Sequence, residues 1–480
     1  MLEPILYCHY SVKIPMNSPI KPVQLHQICL WGGMIAAVTL QSLATPALSS
    51  PKSSITILED NPKVVIDEMW QIVNNEFVDK EFNRVEWKEK RQELLNRDYA
   101  NHKQAYKAIQ KALKWLGDPY TRFLTPDNFA TLTSQTSGEL SGVGIRLTFD
   151  KRTSQLYVVE AVKSSPAAKA GIKRGDRIIR INGKPTALMT LEQARNAVQG
   201  ELGTDVSLQL SRENKGVFQV TLTRSQIEIA SVSYNLKQEA QLRVGYIRLD
   251  EFSSHAAEQM RNAIKDLGNK EVSGYILDLR GNPGGLLLAS IDIARLWLKK
   301  GEIVMTVDRR GGDRHFSANG TSLTDLPLVV LVDEGSASAS EILAGALKEN
   351  GRATVVGTTT YGKGTVQSVH SLSDGSGLAV TIARYYPPSG KDINQKGINP
   401  DIYLDLSMEQ HIQLRNDPSL MGTHADPQYK GAINVLRKNA PPISLPKIPK
   451  PVSIRWENLH EVVKDKNSRG ERINRRVEDD

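Results

Sequence analysis

Apolar residues recur at two different periods along the chain, and the change of period divides it. In NPKVVIDEMWQIVNNEF, Val64, Val65, Met69, Ile72 and Val73 recur at helical spacing behind Pro62. Tyr106, Ile109, Leu113 and Leu116 repeat this in QAYKAIQKALKWLGDPY, which Gly117 and Pro119 stop. Residues 60–137 therefore read as a helical N-terminal domain. From 138 to 225 short β-branched strands punctuated by glycine take over (LYVVEAV, DRIIRING, VSLQLSR, FQVTLTR), with one amphipathic helix, LEQARNAVQ, among them. From 226 to 405 apolar strands alternate with helices: VGYIRL, GYILDLR, LLLASIDIARLWL, LPLVVLVD, EILAGALKEN, ATVVG and LAVTIARYY. That alternation predicts an α/β core on a mainly parallel sheet. The pattern fades over 406–480. There Pro441, Pro442, Pro446, Pro449 and Pro451 predict a stiff linker, and NSRGERINRRVEDD a solvated tail. The fold class is α/β, in several domains.

Composition narrows the field. The 480 residues are 40% hydrophobic and 24% charged, an ordinary globular balance that excludes disordered, collagen-like and multi-span membrane chains. A net charge of +8 over this length is mild, and no basic block is interleaved with aromatics, so nucleic acid is not an expected partner. The two cysteines are Cys8 and Cys29, which excludes disulfide scaffolds, structural zinc and thiol nucleophiles further along.

The first 49 residues read as an export signal. Lys13, Lys21 and His26 precede an apolar run from Ile28 to Leu40, and small residues follow in LATPALSS. Thirteen helical residues span roughly 20 Å, short of a ~30 Å hydrocarbon core, so cleavage rather than anchoring is expected. Met16 is an alternative start, and cleavage after Ala47 or Ser49 fits the small-residue rule.

In SGELSGVGIRL, Gly142 and Gly144 flank Val143 just before a strand, and SPAAKAGIKRGDRIIRINGKP follows. Backbone N–H groups around Val143, Gly144 and Ile145 can form a nest for a carboxylate, beside a strand able to accept an added peptide strand. Gly171, Gly175 and Gly183 read as turn glycines only. The stretch from Gly138 to Arg224 resembles a PDZ domain, and the resemblance implies binding of free C-termini with apolar last residues.

Three segments of the third region carry candidate chemistry: DLRGNPGGLL (278–287), DEGSASASEILAGALKENG (333–351) and VGTTTYGKGTVQSVHSL (356–372). Ser338-Ala-Ser-Glu341 is a capping box, and on spacing alone that accounts for Ser338. The same position puts its hydroxyl beside free N–H groups and the positive end of a helix, where an oxyanion would be stabilised. No G-x-S-x-G elbow is present. Lys363 lies between two glycines; a lysine in apolar surroundings loses its charge more easily and can take a serine proton. Gly357-TTTY-Gly362-Lys363 mimics a phosphate loop, but Gly364 stands where Ser or Thr is required and a strand-like pattern follows, so that reading fails.

Together these segments resemble the carboxyl-terminal processing (tail-specific) proteases, serine peptidases with a Ser–Lys dyad, over roughly Pro62 to Asp401. SASASEI and TYGKGTVQSV occur in order, with 25 residues from Ser338 to Lys363. The resemblance implies a crotonase-like α/β catalytic core with an inserted-type PDZ β-barrel. It implies Ser338 as nucleophile, Lys363 as general base and Gln367 as the residue orienting the amine. Oxyanion donors would be the N–H groups of Ala339 and Gly284, with Gly285 as the alternate. In an extended strand, positions 363 and 367 lie ~13 Å apart, so the Lys–Gln role predicts a bend or helical turn over Gly362–Gln367. The chain departs from commoner family patterns at Ala197-Val-Gln-Gly, where a basic residue often precedes the glycine.

The implied activity is a serine endopeptidase of exported proteins, in a periplasm or thylakoid lumen. It would take protein or peptide substrates with free C-termini and cleave near that end, D1-precursor maturation being one family role. No metal or cofactor is required, nor a stable membrane span after signal cleavage. Two other classes stand beside it: a non-catalytic PDZ adaptor, and an acyl-CoA enzyme on a crotonase-like core, which the export signal disfavours.

Overall fold

The computed structural model describes residues 61–150, 153 and 155–439. The expected export signal, the proline-rich linker and the charged tail lie outside the described residues. Among those described, no helix is long and apolar enough to cross a membrane.

Helices Pro62–Glu76 and His102–Lys114 form where the period predicts them, and a further helix, Trp87–Leu95, lies between them. Asn61 caps the first by accepting from Lys63 N–H at 3.0 Å, and Asn101 caps the third. Their apolar faces, with Val65, Met69, Val73, Ile109 and Leu113, close on Leu372, Leu378 and Val380 from much later in the chain. The helical region also contributes a strand. Arg122–Leu124 pairs antiparallel with Gly377–Ala379, joining a sheet otherwise built from Glu302–Asp308, Asp313–Ser317, Thr365–Ser371 and Gly377–Tyr386.

A second, six-stranded sheet carries the α/β core. Its spatial order is Val232–Glu239, Leu242–Leu249, Gly274–Asp278, Leu328–Val332, Thr354–Gly357 and Ile402–Tyr403. The first pair is antiparallel and the rest are parallel. The central strands GYILD and LVVLV are buried at every position, as parallel strands covered on both faces require. Helices Ala256–Gly268, Leu287–Trp297 and Ala339–Glu349 share one core with the sheet. The other face is covered by Pro427–Asn439, whose Tyr429, Ile433 and Leu436 pack on Tyr246, Ile276, Val329 and Leu331. Each such side chain contributes roughly 1.5–3 kcal/mol on burial. This helix lies within the stretch where the sequence signal fades.

The PDZ region is a sheet in the order Ile145–Asp150, Gln155–Ala161, Arg177–Ile181, Asp205–Arg212 and Gly216–Thr223, with Lys184–Pro185 pairing at the side. Helix Leu191–Val198 begins with a capping box of Thr190 and Gln193. At the Ala197-Val-Gln-Gly turn the basic group comes from elsewhere: Arg224 donates to the Ala197 and Val198 carbonyls at 3.0 and 3.1 Å. A two-stranded ribbon, Glu139–Gly142 with Ser225–Glu228, joins this region to the α/β core. Where the ribbon meets the core, Glu139 contacts His255 at 3.0 Å.

Candidate active site

The strand Leu328–Val332 runs into a loop of six residues, and the helix Ala339–Glu349 begins immediately after Ser338. The three serines of that loop and helix start separate by environment. Ser336 is fully buried and donates to the Leu279 carbonyl at 2.8 Å; Ser340 is fully buried and donates to the Asn282 carbonyl at 2.9 Å. Ser338 is half-buried and lines a cavity of about 220 Å³. Its backbone is at φ 56°, ψ −113°, a region costing a non-glycine residue of order 1–3 kcal/mol. The chain thus makes a strained turn into a helix at Ser338, as nucleophile elbows do, without the G-x-S-x-G text.

The capping box is formed as well, and its acid does more than cap. Glu341, wholly buried, accepts from Ser338 N–H at 2.8 Å. It also accepts from Lys363 N–H at 2.9 Å, Gly362 N–H at 2.7 Å and Thr360 Oγ1–H at 2.6 Å. One carboxylate therefore fixes the serine turn against the lysine loop. The Tyr385 hydroxyl adds a donor to the Ser338 carbonyl at 3.1 Å.

Lys363 and Ser338 line the same cavity, together with Ala339, Gly285 and Gln367. Burial first, and the Arg122 cation second, push the Lys363 amine down to about 8 against the opposing pull of Asp118 and Glu341. No hydrogen bond joins Ser338 Oγ to Lys363 Nζ among the described residues; the amine stands 5.0 Å from the centre of the Tyr120 ring. Burial and a hydrogen bond to Tyr361 push the Tyr120 hydroxyl up to about 12.

Gln367 does not reach the amine. Its Nε2 donates to Thr365 Oγ1 at 2.9 Å and Thr381 Oγ1 at 3.2 Å. Of the expected bend or helical turn over Gly362–Gln367, the helical turn is absent and the chain is irregular instead. Residues 361–364 are irregular, and the strand from Thr365 is broken by a register shift between Val366 and Gln367.

The two glycines of the RGNPGG loop also divide their duties. Gly284 N–H donates to Asn282 Oδ1 at 2.9 Å and is not free for an oxyanion. What Gly284 supplies is the absence of a side chain: at φ +105°, a Cβ there would stand 2.8 Å from the Ala337 carbonyl and 2.9 Å from Ser338 Cβ. Gly285, the alternate, is the one that lines the cavity beside Ala339. Asn282 binds loop to loop, accepting at its carbonyl from Ala337 N–H at 3.0 Å and donating to Leu249 O at 2.8 Å. Beneath it Arg280 is buried between Asp278 and Asp426, donating to both carboxylates and to Gln428.

In the PDZ region, Val143, Gly144 and Ile145 form the turn into the edge strand Ile145–Asp150, which packs against helix Leu191–Val198. The Val143 carbonyl accepts from Ala167 N–H at 3.0 Å and the Gly144 carbonyl from Val162 N–H at 2.8 Å. Since each trans peptide is planar, the N–H groups of Gly144 and Ile145 point away from those partners.

The sequence reading did not find Glu341 as a clamp, Tyr120 and Tyr385 as cavity walls, or the Asp278–Arg280–Asp426 cluster. Glu341 was visible only as a capping residue, and the others meet through contacts of long sequence separation.

Residues 243–404 match peptidase family S41, and residues 157–212 match a PDZ domain. A carboxyl-terminal-processing protease of Synechocystis sp. is 41% identical over 391 residues, 81% of this chain and 90% of that protein. Carboxyl-terminal-processing peptidase 3, chloroplastic, of Arabidopsis thaliana is 40% identical over 71% of this chain and 68% of that protein. A solved structure, photosystem II D1 C-terminal processing protease, is 36% identical, with TM-score 0.48 over 77% of this chain and 99% of that one. On the extent of the match to the Synechocystis protein and the two matched regions, the chain belongs to the carboxyl-terminal-processing proteases, serine-type peptidases of family S41.

Proposed function

We propose that this peptidase works through a Ser338–Lys363 dyad on a crotonase-like core. The core would span about 226–405 and serve a PDZ region at about 138–225, with a helical region at 60–137 closing the cavity. The observation that carries the reading is the shared cavity, lined both by a serine with strained backbone at a helix N-terminus and by a lysine whose amine is pushed down to about 8. At that basicity about a tenth of the amine is neutral at pH 7, far more than for an ordinary lysine, and a general base must be neutral.

In the proposed reaction a C-terminal tail is held by the PDZ groove and an extended segment enters the cavity. Lys363 Nζ turns from the Tyr120 ring toward Ser338 Oγ, a movement consistent with catalytic hydrogen bonds that tighten only once substrate is bound. Ser338 Oγ attacks the carbonyl carbon as the amine takes its proton. The oxyanion is met by the N–H groups of Ala339 and Gly285, the latter replacing Gly284 because Gly284 N–H is already engaged. The ammonium then protonates the leaving amine, and water hydrolyses the acyl-enzyme by the same steps. Gln367, held by two threonine hydroxyls, acts on the cavity wall; its part in orienting the amine requires release from Thr365.

The lead and apolar run within residues 1–49 support export, to a periplasm or a thylakoid lumen, and the chloroplastic relatives agree with it. The substrates would be exported proteins trimmed near their C-termini, D1-type precursors among them. The deciding experiment compares C-terminal peptides from cells carrying the wild-type chain and Ser338→Ala. Tails retained only in the variant identify substrates; identical catalogues, with purified Ser338→Ala still cleaving, reject the dyad.

A further inference from the structure

The cavity that holds Ser338 and Lys363 also holds a cation to which the dyad assigns no chemical step. Arg122 stands on the short strand contributed by the helical region. It is paired with Ala379, and Ala379 is paired on its other side with Val369. Directly opposed residues share a face of a sheet, so Arg122, Ala379 and Val369 form one row, and all three line the cavity. Gln367 and Thr381 form the row two positions nearer Lys363.

Arg122 differs from the other arginines with structural roles. Arg212 is held by Asp176, Arg280 by Asp278 and Asp426, Arg224 and Arg352 by backbone carbonyls, and Arg248 by Asp250. Among the described residues nothing accepts a hydrogen bond from the Arg122 guanidinium, and its side chain is exposed toward the cavity. The acid on the cavity wall is Glu251, which belongs to a different element. It precedes Phe252, whose backbone exchanges hydrogen bonds with Gly284 and Leu286 at 2.9 and 2.8 Å. Acid and base therefore enter the cavity from separate elements and are not paired with each other. A guanidinium is a planar fork of donors whose best partner is a carboxylate.

We propose that Arg122 forms a carboxylate-binding subsite of the active-site cleft, so that the enzyme selects peptides carrying an acidic group close to the scissile bond. The inference deepens the peptidase reading and rests on it. The row holding Arg122 lies four strand positions, roughly 13 Å, from Thr365, which lines the cavity with Ser338 and Lys363, so the acid is sought within about four residues of the cleaved bond. Two sources offer that chemistry: an Asp or Glu side chain, or the free C-terminal carboxylate of a short tail.

The test uses the purified full chain and quenched fluorescent peptides in matched pairs. One series moves Asp against Asn through four positions on each side of the bond. The other compares a free with an amidated C-terminus placed within four residues of it. The quantity read is the ratio of kcat/KM within each pair. Because each ratio is taken within one enzyme, any effect of Arg122 on Lys363 basicity cancels. Wild type is expected to favour the acidic member about tenfold in one series, which identifies the source. Arg122→Gln brings that ratio to about one, and Arg122→Glu turns the preference toward Lys at the same position. A terminal-carboxylate preference due to the PDZ groove would survive Arg122→Gln. Ratios near one throughout in wild type, or a preference that persists in Arg122→Gln, overturn the subsite. Cleavage by Ser338→Ala would instead sink the dyad, whatever Arg122 does.

Discussion

The backbone of Lys363 hangs on the side chain of Glu341, whose Oε2 accepts its N–H at 2.9 Å while the same oxygen accepts Ser338 N–H at 2.8 Å. Nucleophile and base are thereby registered by one atom. Glu341→Gln keeps the volume but presents an amide NH₂ to N–H donors and removes a negative charge. We expect kcat to fall on the order of a hundredfold, since misplacements near 1 Å carry that cost. The carboxylate's field raises the Lys363 amine, so its loss should also move the pH profile toward acid. Steady-state rates across pH check both. An unchanged kcat would show that the clamp is not what aligns the pair.

The wild-type profile follows from the lysine itself. Burial holds its amine at about 8, so the neutral base is lost as pH falls through that value. Below about pH 7, kcat/KM should drop roughly tenfold per unit. Lys363→Arg should be inactive, because a guanidinium stays charged. Stability moves in the same direction as activity. Between about 8 and the lysine's ordinary 10.5 the unfolded chain binds more protons, so the native state gains stability as pH rises there, and the penalty is full below 8. Lys363→Met should therefore be inactive yet melt higher at pH 7, which calorimetry of both proteins tests.

How much of this was legible depends on the distance over which each feature is encoded. Local period exposes the helices around Met69 and Ile109, the alternating core and the glycine-rich turn at Gly144, because neighbouring residues carry those signals. Ser338 and Lys363 could be proposed from text, but the text weights Ser338 as a cap. Its strained φ and the burial of Ser336 and Ser340 single it out only in three dimensions. The resemblance puts the oxyanion donor at Gly284 with Gly285 as alternate, and nothing in the text reveals that the Asn282 side chain occupies the Gly284 N–H. Tyr120 and Arg122 reach the cavity because Arg122–Leu124 pairs with Gly377–Ala379, a contact over some 250 residues that no local pattern records. The helix Pro427–Asn439 spaces Tyr429, Ile433 and Leu436 helically, but polar and proline-rich text surrounds it.

Arg280 gives a stability prediction. Desolvation raises Asp278, but Arg280 beside it outweighs this and holds the carboxyl down to about 2. The folded value is depressed, so the stabilisation is full above the ordinary 3.8 and is lost as pH falls toward 2. Arg280→Met would leave Asp426 buried without its cation and Asp278 with only Arg248, at 3.7 Å, costing about 3–5 kcal/mol. The expected result is a lower urea midpoint at pH 7 and a smaller difference from wild type as the pH falls toward 2, where Asp278 gains its proton. A variant as stable as wild type at pH 7 would mean that the buried contacts of Arg280 do not stabilise the fold.

The PDZ turn makes the last prediction. With the carbonyls of Val143 and Gly144 engaged by Ala167 and Val162, the N–H groups of Gly144 and Ile145 are turned outward at the start of an edge strand. That geometry suits a terminal carboxylate followed by an antiparallel added strand. It depends on Gly144, at φ +76° and so close to Ser165 that a Cβ would stand 2.2 Å from the serine Cβ. Gly144→Ala must therefore move the turn. For substrates whose free C-terminus lies well beyond the cleft, KM should rise about tenfold with kcat little changed, because capture precedes the chemical step. Amidated versions of the same substrates should bind wild type and variant equally poorly. If wild type instead cleaves free and amidated long substrates at the same KM, the outward N–H groups do not read the chain end, and the edge strand alone must hold the peptide.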